Sequence, residues 1–364
     1  MPASEDLKNI GRRFGKECSF RPTGAGHIHD TYLSDDGQWI LQRINTKIFV
    51  KPREVMENIE AVTAYIRKRL EEEETPSSEK VLTVVPTSDG ELLYEDETGC
   101  WRMYENISGT HSVEPEERSL GEFAKAGAAF GRFQLLLSGF PASELHETIP
   151  DFHNTVKYLQ KLENTVWRLS DEKDSPEGLR QRLRTALPLV SFVSERRELA
   201  AVVLRGLEDG SIPYAVTHND TKINNVLFDN LTGEAAAVID LDTVMSGSRL
   251  YDFGDAIRSG AVTAAEDEPD EKKVHFDPAA YRAFKNAYLS VMSPVLTPVE
   301  KRLLFDSAML LTYECGIRFL TDYLEGDVYF KTTYPEHNLV RARNQFAVLK
   351  EMEACREKEG EESI

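Results

Sequence analysis

One stretch, residues 214–242 (YAVTHNDTKINNVLFDNLTGEAAAVIDLD), constrains the fold of this chain more than any other. YAVTH reads as a short apolar strand entering a polar loop, and NVLFD and AAAVID read as two more strands. Asn230, Leu231, Thr232 and Gly233 make the hairpin turn between them. Pairing the hairpin about that turn sets Asn225 opposite Asp240, side by side at its open end. Asp220 precedes Asn225 on the loop that feeds the same end.

Three oxygen-bearing side chains thus converge where a hard cation would sit. One amide oxygen and one carboxylate suit magnesium, which keeps waters and phosphate oxygens in the rest of its shell. Asp220, left off the metal, is placed to accept a proton from an incoming hydroxyl. His218, Asp220, Asn225 and Asp240 follow the order of a kinase catalytic loop, His-x-Asp-x-x-x-x-Asn and then a metal-binding Asp. Asn and Asp are common turn residues, but all four at this spacing between strands is a specific signal. Lys222 is suited to neutralise charge on a moving phosphoryl group. His218 is expected to brace the loop. Asp242 either assists the metal or points away. Asp252 and Asp255 read as helix-start and loop-anchoring residues.

The rest of the chain divides in texture. Residues 15–45 read as short strands around a glycine turn, residues 53–70 as a helix, and VLTVVP, ELLYED and CWRMYENI as further strands. One helix among about five strands describes a small α+β lobe. From Glu116 onward helical patterns dominate, apart from residues 214–242. The expected division is an N-terminal lobe, 1–106, and a C-terminal lobe, 107–364, with the boundary at Asn106–Thr110. The fold class expected is α+β, a two-lobed protein-kinase-like fold.

Composition excludes several classes. A net charge of −19 opposes binding to a nucleic-acid backbone. No run approaches the roughly 18 apolar residues of a membrane helix, and the N-terminus has no apolar core of a secretion signal. A cytoplasmic location is the expectation. Cys18, Cys100, Cys315 and Cys355 are far apart, which favours free thiols over zinc or disulfides.

With these residues in view, the chain resembles the aminoglycoside phosphotransferase and choline kinase superfamily over nearly its whole length. Within it the chain is similar to sugar 1-kinases acting on N-acetylhexosamines. The segments that carry this are GAGHIHDTYL, WILQRIN, DGSIPYAVTHNDTKINNVLFD, AVIDLDTVMSGSRLYDFGDAIR, YECGIRFLTDYLEGDVYF and YPEHNLVR. The resemblance implies transfer of the γ-phosphoryl group of ATP, with Mg2+, to the anomeric hydroxyl of N-acetylglucosamine or N-acetylgalactosamine. It implies that Gly24, Gly26 and His27 lie near the phosphates and the sugar, glycine permitting close backbone approach. Tyr104 to Ile107 would form the hinge that meets adenine, although a core position suits Tyr104 equally. Arg318, Asp322 and Tyr329 would line the sugar pocket. Arg318 and Asp322 are four apart and share a helix face, so a plain ion pair is the other reading.

One departure stands out. The third strand of a kinase normally carries a lysine that pairs the phosphates with a helix glutamate. WILQRIN offers Gln42 and Arg43 instead. Alternation puts Gln42 on the face of Ile40 and Ile44 and turns Arg43 outward, leaving Glu57 or Glu60 without an obvious cation. Two rivals follow. One is a kinase of an aminoglycoside or small amino alcohol, which fits the acidic balance. The other is a catalytically silent nucleotide-binding protein, which fits the missing lysine.

Overall fold

The computed structural model describes residues 4–23, 28–74, 78–171 and 176–359. Its first part is built on a sheet. Helix α1 (Ser4–Arg13) precedes β1 (Phe20–Pro22), β2 (Asp30–Ser34) and β3 (Trp39–Ile44). Then come α2 (Pro52–Glu71), β4 (Val84–Val85), β5 (Tyr94–Asp96) and β6 (Gly99–Glu105). All six strands join one antiparallel sheet, in the order β1-β2-β3-β6-β4 with β5 also on β6. The lobe therefore holds two helices, one more than its patterning predicts. Helix α1 is only ten residues long, too short for its period to stand out.

Strand alternation gives the sheet two different faces. Leu41, Trp101 and Met103 pack with Leu7, Ile10 and Phe14 of the N-terminal segment. Ile44, Cys100 and Tyr104 pack with Val55, Met56, Ile59 and Val62 of α2. Full burial of a side chain such as Ile59 contributes roughly 1.5–3 kcal/mol. Gln42 and Arg102 share this second face and stand opposite each other in the β3–β6 register.

The second part is mainly helical. In chain order it comprises β7 (Thr110–His111), α3 (Leu120–Leu136), α4 (Thr155–Ser170), α5 (Glu177–Glu195), α6 (Val202–Glu208), β8 (Ala215–Thr217), β9 (Val226–Asp229), β10 (Ala235–Val238) and β11 (Met245–Gly247). Then follow α7 (Arg249–Gly260), α8 (Pro278–Met292), α9 (Pro298–Arg302), α10 (Leu304–Glu325) and α11 (His337–Glu359). Helix α3 begins at a capping box of Ser119 and Glu122. Helix α10 is apolar nearly all round, so it runs through the core. It ends at Gly326, whose φ of 101° suits a residue without Cβ. Gly254 brings α7 against α10, since a Cβ there would lie 2.4 Å from the Ser307 carbonyl oxygen. The strands form a β10-β9-β7 sheet and a β11-β8 pair. Among the described residues no helix is long and apolar enough to cross a membrane.

Candidate active site

The loop after β8 is laced to α7 before any catalytic role is considered. Asp252 Oδ2 accepts from the His218 N–H at 2.9 Å and Asp252 Oδ1 from the Asn219 N–H at 2.8 Å. Asp255 Oδ2 accepts from the Thr221 N–H at 2.9 Å. Gln134 of α3 donates to Asp252 as well. The two aspartates lie inside α7, whose N-cap is Ser248, so they anchor the loop and do not cap the helix. His218 is a brace, as expected. Its Nε2 donates to the Ile239 carbonyl at 2.9 Å, its Nδ1 accepts from the Asp220 N–H, and its ring meets Phe130 and Phe133 edge-on.

The hairpin forms about the expected turn, with one change of register. Val226 faces Val238 and Leu227 faces Ala237, and an irregularity sits between Ala235 and Ala237. The Ile239 N–H donates to the Asn225 carbonyl. Asn225 therefore stands opposite Ile239, one residue short of Asp240. Asp240 still reaches the open end, because its backbone turns left-handed at φ 60° and ψ 58°. That conformation costs an L-residue about 1–2 kcal/mol and has to be held by its surroundings.

Four side chains then meet. Lys222 Nζ lies 2.9 Å from Asp220 Oδ1. Asn225 Nδ2 donates to the Asp220 carbonyl at 2.8 Å and to Asp220 Oδ2 at 3.2 Å, and its amide oxygen has no donor among the described residues. Desolvation pushes the Asp220 carboxyl up, but Lys222, then His218 and Arg258, hold it below its ordinary value. Asp240 is different. Solvent reaches it, yet no described residue donates to its carboxylate. Desolvation in the cleft, then Asp242 and Asp220, push it up to about 6. A carboxylate short of positive charge beside an unused amide oxygen fits a hard divalent cation.

Asp242 points away from that cation position. Both of its oxygens face the Arg102 guanidinium, with Nη2 to Oδ2 at 2.7 Å, and His29 Nε2 lies 2.5 Å from Oδ2. Arg102 Nε donates to Gln42 Oε1 at 3.0 Å. Arg43 turns outward to Asp30, as alternation predicts. On α2, Glu57 pairs with His146 and supplies no carboxylate to the cleft. The cation missing from β3 thus arrives on the neighbouring strand. Its signal was present in CWRMYE, where a lone arginine shares the inward face with Cys100 and Tyr104.

At the junction of the two parts Tyr104 is buried against α2, with its hydroxyl donating to Met56 Sδ and its ring under Arg102. Its side chain takes the core position that suited it equally. The Ile107 carbonyl accepts from Thr110 Oγ1, while its N–H has no partner among the described residues. Gly24, Gly26 and His27 lie outside the described residues.

On α10, Arg318 and Asp322 do not pair. Asp322 accepts from the N–H groups of Val328, Tyr329 and Phe330 and from Asn338 Nδ2, all at 2.8–2.9 Å. Three of these bonds hold the loop after α10 and the fourth ties in Asn338 of α11, so both oxygens of Asp322 are taken up within the protein. This corrects its expected role as a ligand. Arg318 has no hydrogen-bond acceptor among the described residues. Its guanidinium lies over the rings of Phe152, Tyr158 and Phe330 at 5.1–5.6 Å. Tyr329 stands exposed beside Phe330, edge-on to it.

A family model described as the phosphotransferase enzyme family matches residues 19–286. The chain is similar to a spectinomycin phosphotransferase solved with ADP and spectinomycin, at 12% identity and a TM-score of 0.61 over 97% of this chain and 99% of that one. It is similar to an aminoglycoside phosphotransferase from Alicyclobacillus acidocaldarius, at 13% identity and a TM-score of 0.57 over 93% of each chain. It is also similar to an ethanolamine kinase from Plasmodium vivax, at 14% identity and a TM-score of 0.58 over 93% of this chain and 86% of that one. At these identities the likeness is one of fold, and that fold is protein-kinase-like.

Proposed function

The chain belongs to the phosphotransferase enzyme family, and we propose that within it the protein transfers the γ-phosphoryl group of ATP to the anomeric hydroxyl of an N-acetylhexosamine. The products are the sugar 1-phosphate and ADP. Adenine meets the free Ile107 N–H at the junction of the two parts. Asn225 and Asp240 would hold a magnesium ion, which when bound neutralises charge on the phosphate oxygens. Asp220 orients the sugar hydroxyl and takes its proton as the oxygen attacks phosphorus. Lys222 offsets charge on the transferred group. The sugar carbon keeps its configuration, because the bond that breaks joins phosphorus to the bridging oxygen of ATP. The N-terminal part would act as the nucleotide lobe and the rest as the catalytic and acceptor lobe.

One observation favours a sugar over a cationic acceptor. Aromatic rings box the Arg318 guanidinium, and among the described residues no carboxylate accepts from it, the nearby Glu314 being bonded to His153 and Thr155. A guanidinium in that state suits hydroxyl and amide-carbonyl oxygens and repels an ammonium group. Tyr329 at the rim offers a ring to the sugar's apolar face. Against the silent-protein reading stands the set of Asp220, Asn225 and Asp240, a base and metal ligands that a protein without turnover would not need together.

The test is a kinase assay over a panel of N-acetylhexosamines, aminoglycosides and amino alcohols, with the phosphorylated position read from the phosphorus spectrum of the product. Turnover restricted to N-acetylhexosamines, at the anomeric oxygen and lost in Asp220→Asn, is the expected result. Preferred turnover of an aminoglycoside or choline-like acceptor would reject the sugar reading. Tight ATP binding with no turnover of any acceptor would reject catalysis.

A further inference from the structure

The left-handed backbone at Asp240 has to be fixed by whatever follows it, and the side chain two residues on accepts from both Arg102 and His29. Asp242 is 3% exposed and its partner Arg102 is 2% exposed. Arg102 comes from β6 of the sheet and Asp242 from the loop after β10, so the pair joins the two parts of the molecule. Gln42 holds the third nitrogen of the guanidinium, and that fixes its fork square on the carboxylate. A third partner comes from the start of β2. The Asn45 N–H donates to His29 Nδ1 at 3.1 Å, so the proton sits on Nε2 and is donated to Asp242. His29 also stacks on Phe49. Beyond Asp242, the Thr243 hydroxyl donates to the His218 carbonyl, and Asn219 Nδ2 donates to the Thr243 carbonyl.

We propose that Arg102 is a positioning residue for the metal-binding carboxylate: from the N-terminal sheet it clamps Asp242, and Asp242 fixes the turn that presents Asp240. In the usual arrangement the strand cation pairs with a helix glutamate and reaches the phosphates. Here it is spent on the loop that carries the metal ligand. Affinity for the divalent cation therefore depends on docking of the N-terminal sheet. The inference rests on the phosphotransferase reading and on Asp240 as a metal ligand. It does not depend on which acceptor is used.

The experiment measures Mn2+ binding in the presence of ADP by electron paramagnetic resonance, with thermal unfolding in parallel and no sugar present. The variants are Arg102→Lys, the double variant Arg102→Met/Asp242→Leu, and Asp240→Asn as reference. Replacing a buried ion pair by apolar groups of similar size is often neutral for stability, so the double variant is expected to melt near the parent. Both Arg102 variants are expected to bind Mn2+ roughly 10–100-fold more weakly, as when a group that orients a metal ligand is lost. Parent-like Mn2+ binding in Arg102→Lys and the double variant, with binding lost in Asp240→Asn, would overturn this inference and leave the metal assignment standing. Parent-like binding in Asp240→Asn would overturn both. Weakening that only tracks a loss of folded protein would reduce Arg102 to a stabilising residue. Arg102→Lys, which keeps the charge, decides the matter if the double variant does not fold.

Discussion

The Lys222 ammonium stands 2.9 Å from the Asp220 carboxylate, two residues upstream on the same loop. Lys222 is partly open to solvent, so the pair adds little to stability, of the order of 1 kcal/mol or less. Its weight falls on the reaction. Asp220→Asn is expected to lower kcat by about 10²–10⁴ and Lys222→Met by about 10²–10³, with both variants melting close to the parent. Steady-state kinetics with saturating ATP check this. Parent-like turnover in Lys222→Met would remove that residue from the transfer step.

Asp240 is repelled by Asp242 and Asp220, and no described residue donates to it. Neutralising it relieves that repulsion. Asp240→Asn should therefore melt higher than the parent in the absence of divalent cations. The parent should gain stability on addition of Mg2+ and ADP, and the variant should not. A lower melting temperature for the metal-free variant would contradict the electrostatic account.

Arg318 and Asp322 sit one helical turn apart and should respond in opposite ways. Arg318→Gln breaks no hydrogen bond within the protein, so stability should barely change while KM for the acceptor rises and KM for ATP stays. Asp322→Ala leaves the N–H groups of Val328, Tyr329 and Phe330 without their acceptor and takes one of two from Asn338, which keeps Asp327. A loss of about 2–4 kcal/mol is expected from denaturant unfolding. Equal stability losses in the two variants would reject the division of roles.

The buried His153–Glu314 pair makes stability depend on pH. Burial pushes the His153 pKa down, but the Glu314 carboxylate at 2.9 Å outweighs it and raises the pKa above the ordinary value. The Glu314 carboxyl is pushed up by burial and pulled below its ordinary value by His153. A raised histidine stabilises fully below its unfolded pKa and loses that contribution as pH rises through the folded one. The carboxylate's contribution is present above its unfolded pKa and is lost as pH falls through the folded one. Melting temperatures from pH 5 to 9 should therefore fall on the alkaline side more steeply for the parent than for His153→Gln. Parallel profiles would exclude the linkage.

Burial pushes the Cys100 thiol up to about 11 and the Cys315 thiol up to about 12. Neither should react with a disulfide reagent at pH 8 in the native protein, and both should react on unfolding. Rapid native-state labelling of either, followed by mass spectrometry, would show the local packing to be wrong.

Much of the site was legible because it is local. Asp220, Lys222, Asn225 and Asp240 lie within one hairpin and its feeding loop, where strand pairing and turn chemistry act over short range. Even there the turn pairs Phe228 with Ala235 and, past an irregularity, Leu227 with Ala237, so that Asn225 meets Ile239 and not Asp240, which alternation alone does not foretell. The outward turn of Arg43 was legible for the same reason, since period two is rigid. The partners of Asp242 were not. Arg102 and His29 lie 140 and 213 residues away in sequence, and only the docking of two separately patterned parts brings them together. Asp322 was misjudged because a carboxylate on a helix face looks alike whether it meets a ligand or the backbone of the next loop. Helix α1 went unseen because two turns of apolar spacing are weak evidence until a sheet is present to receive them.

Asp252 and Asp255 tie three N–H groups of the loop after β8, those of His218, Asn219 and Thr221, to a helix that Gly254 presses against the core. That half of the machine behaves as an anvil. It is set when the chain folds, and a substrate has no slack in it to take up.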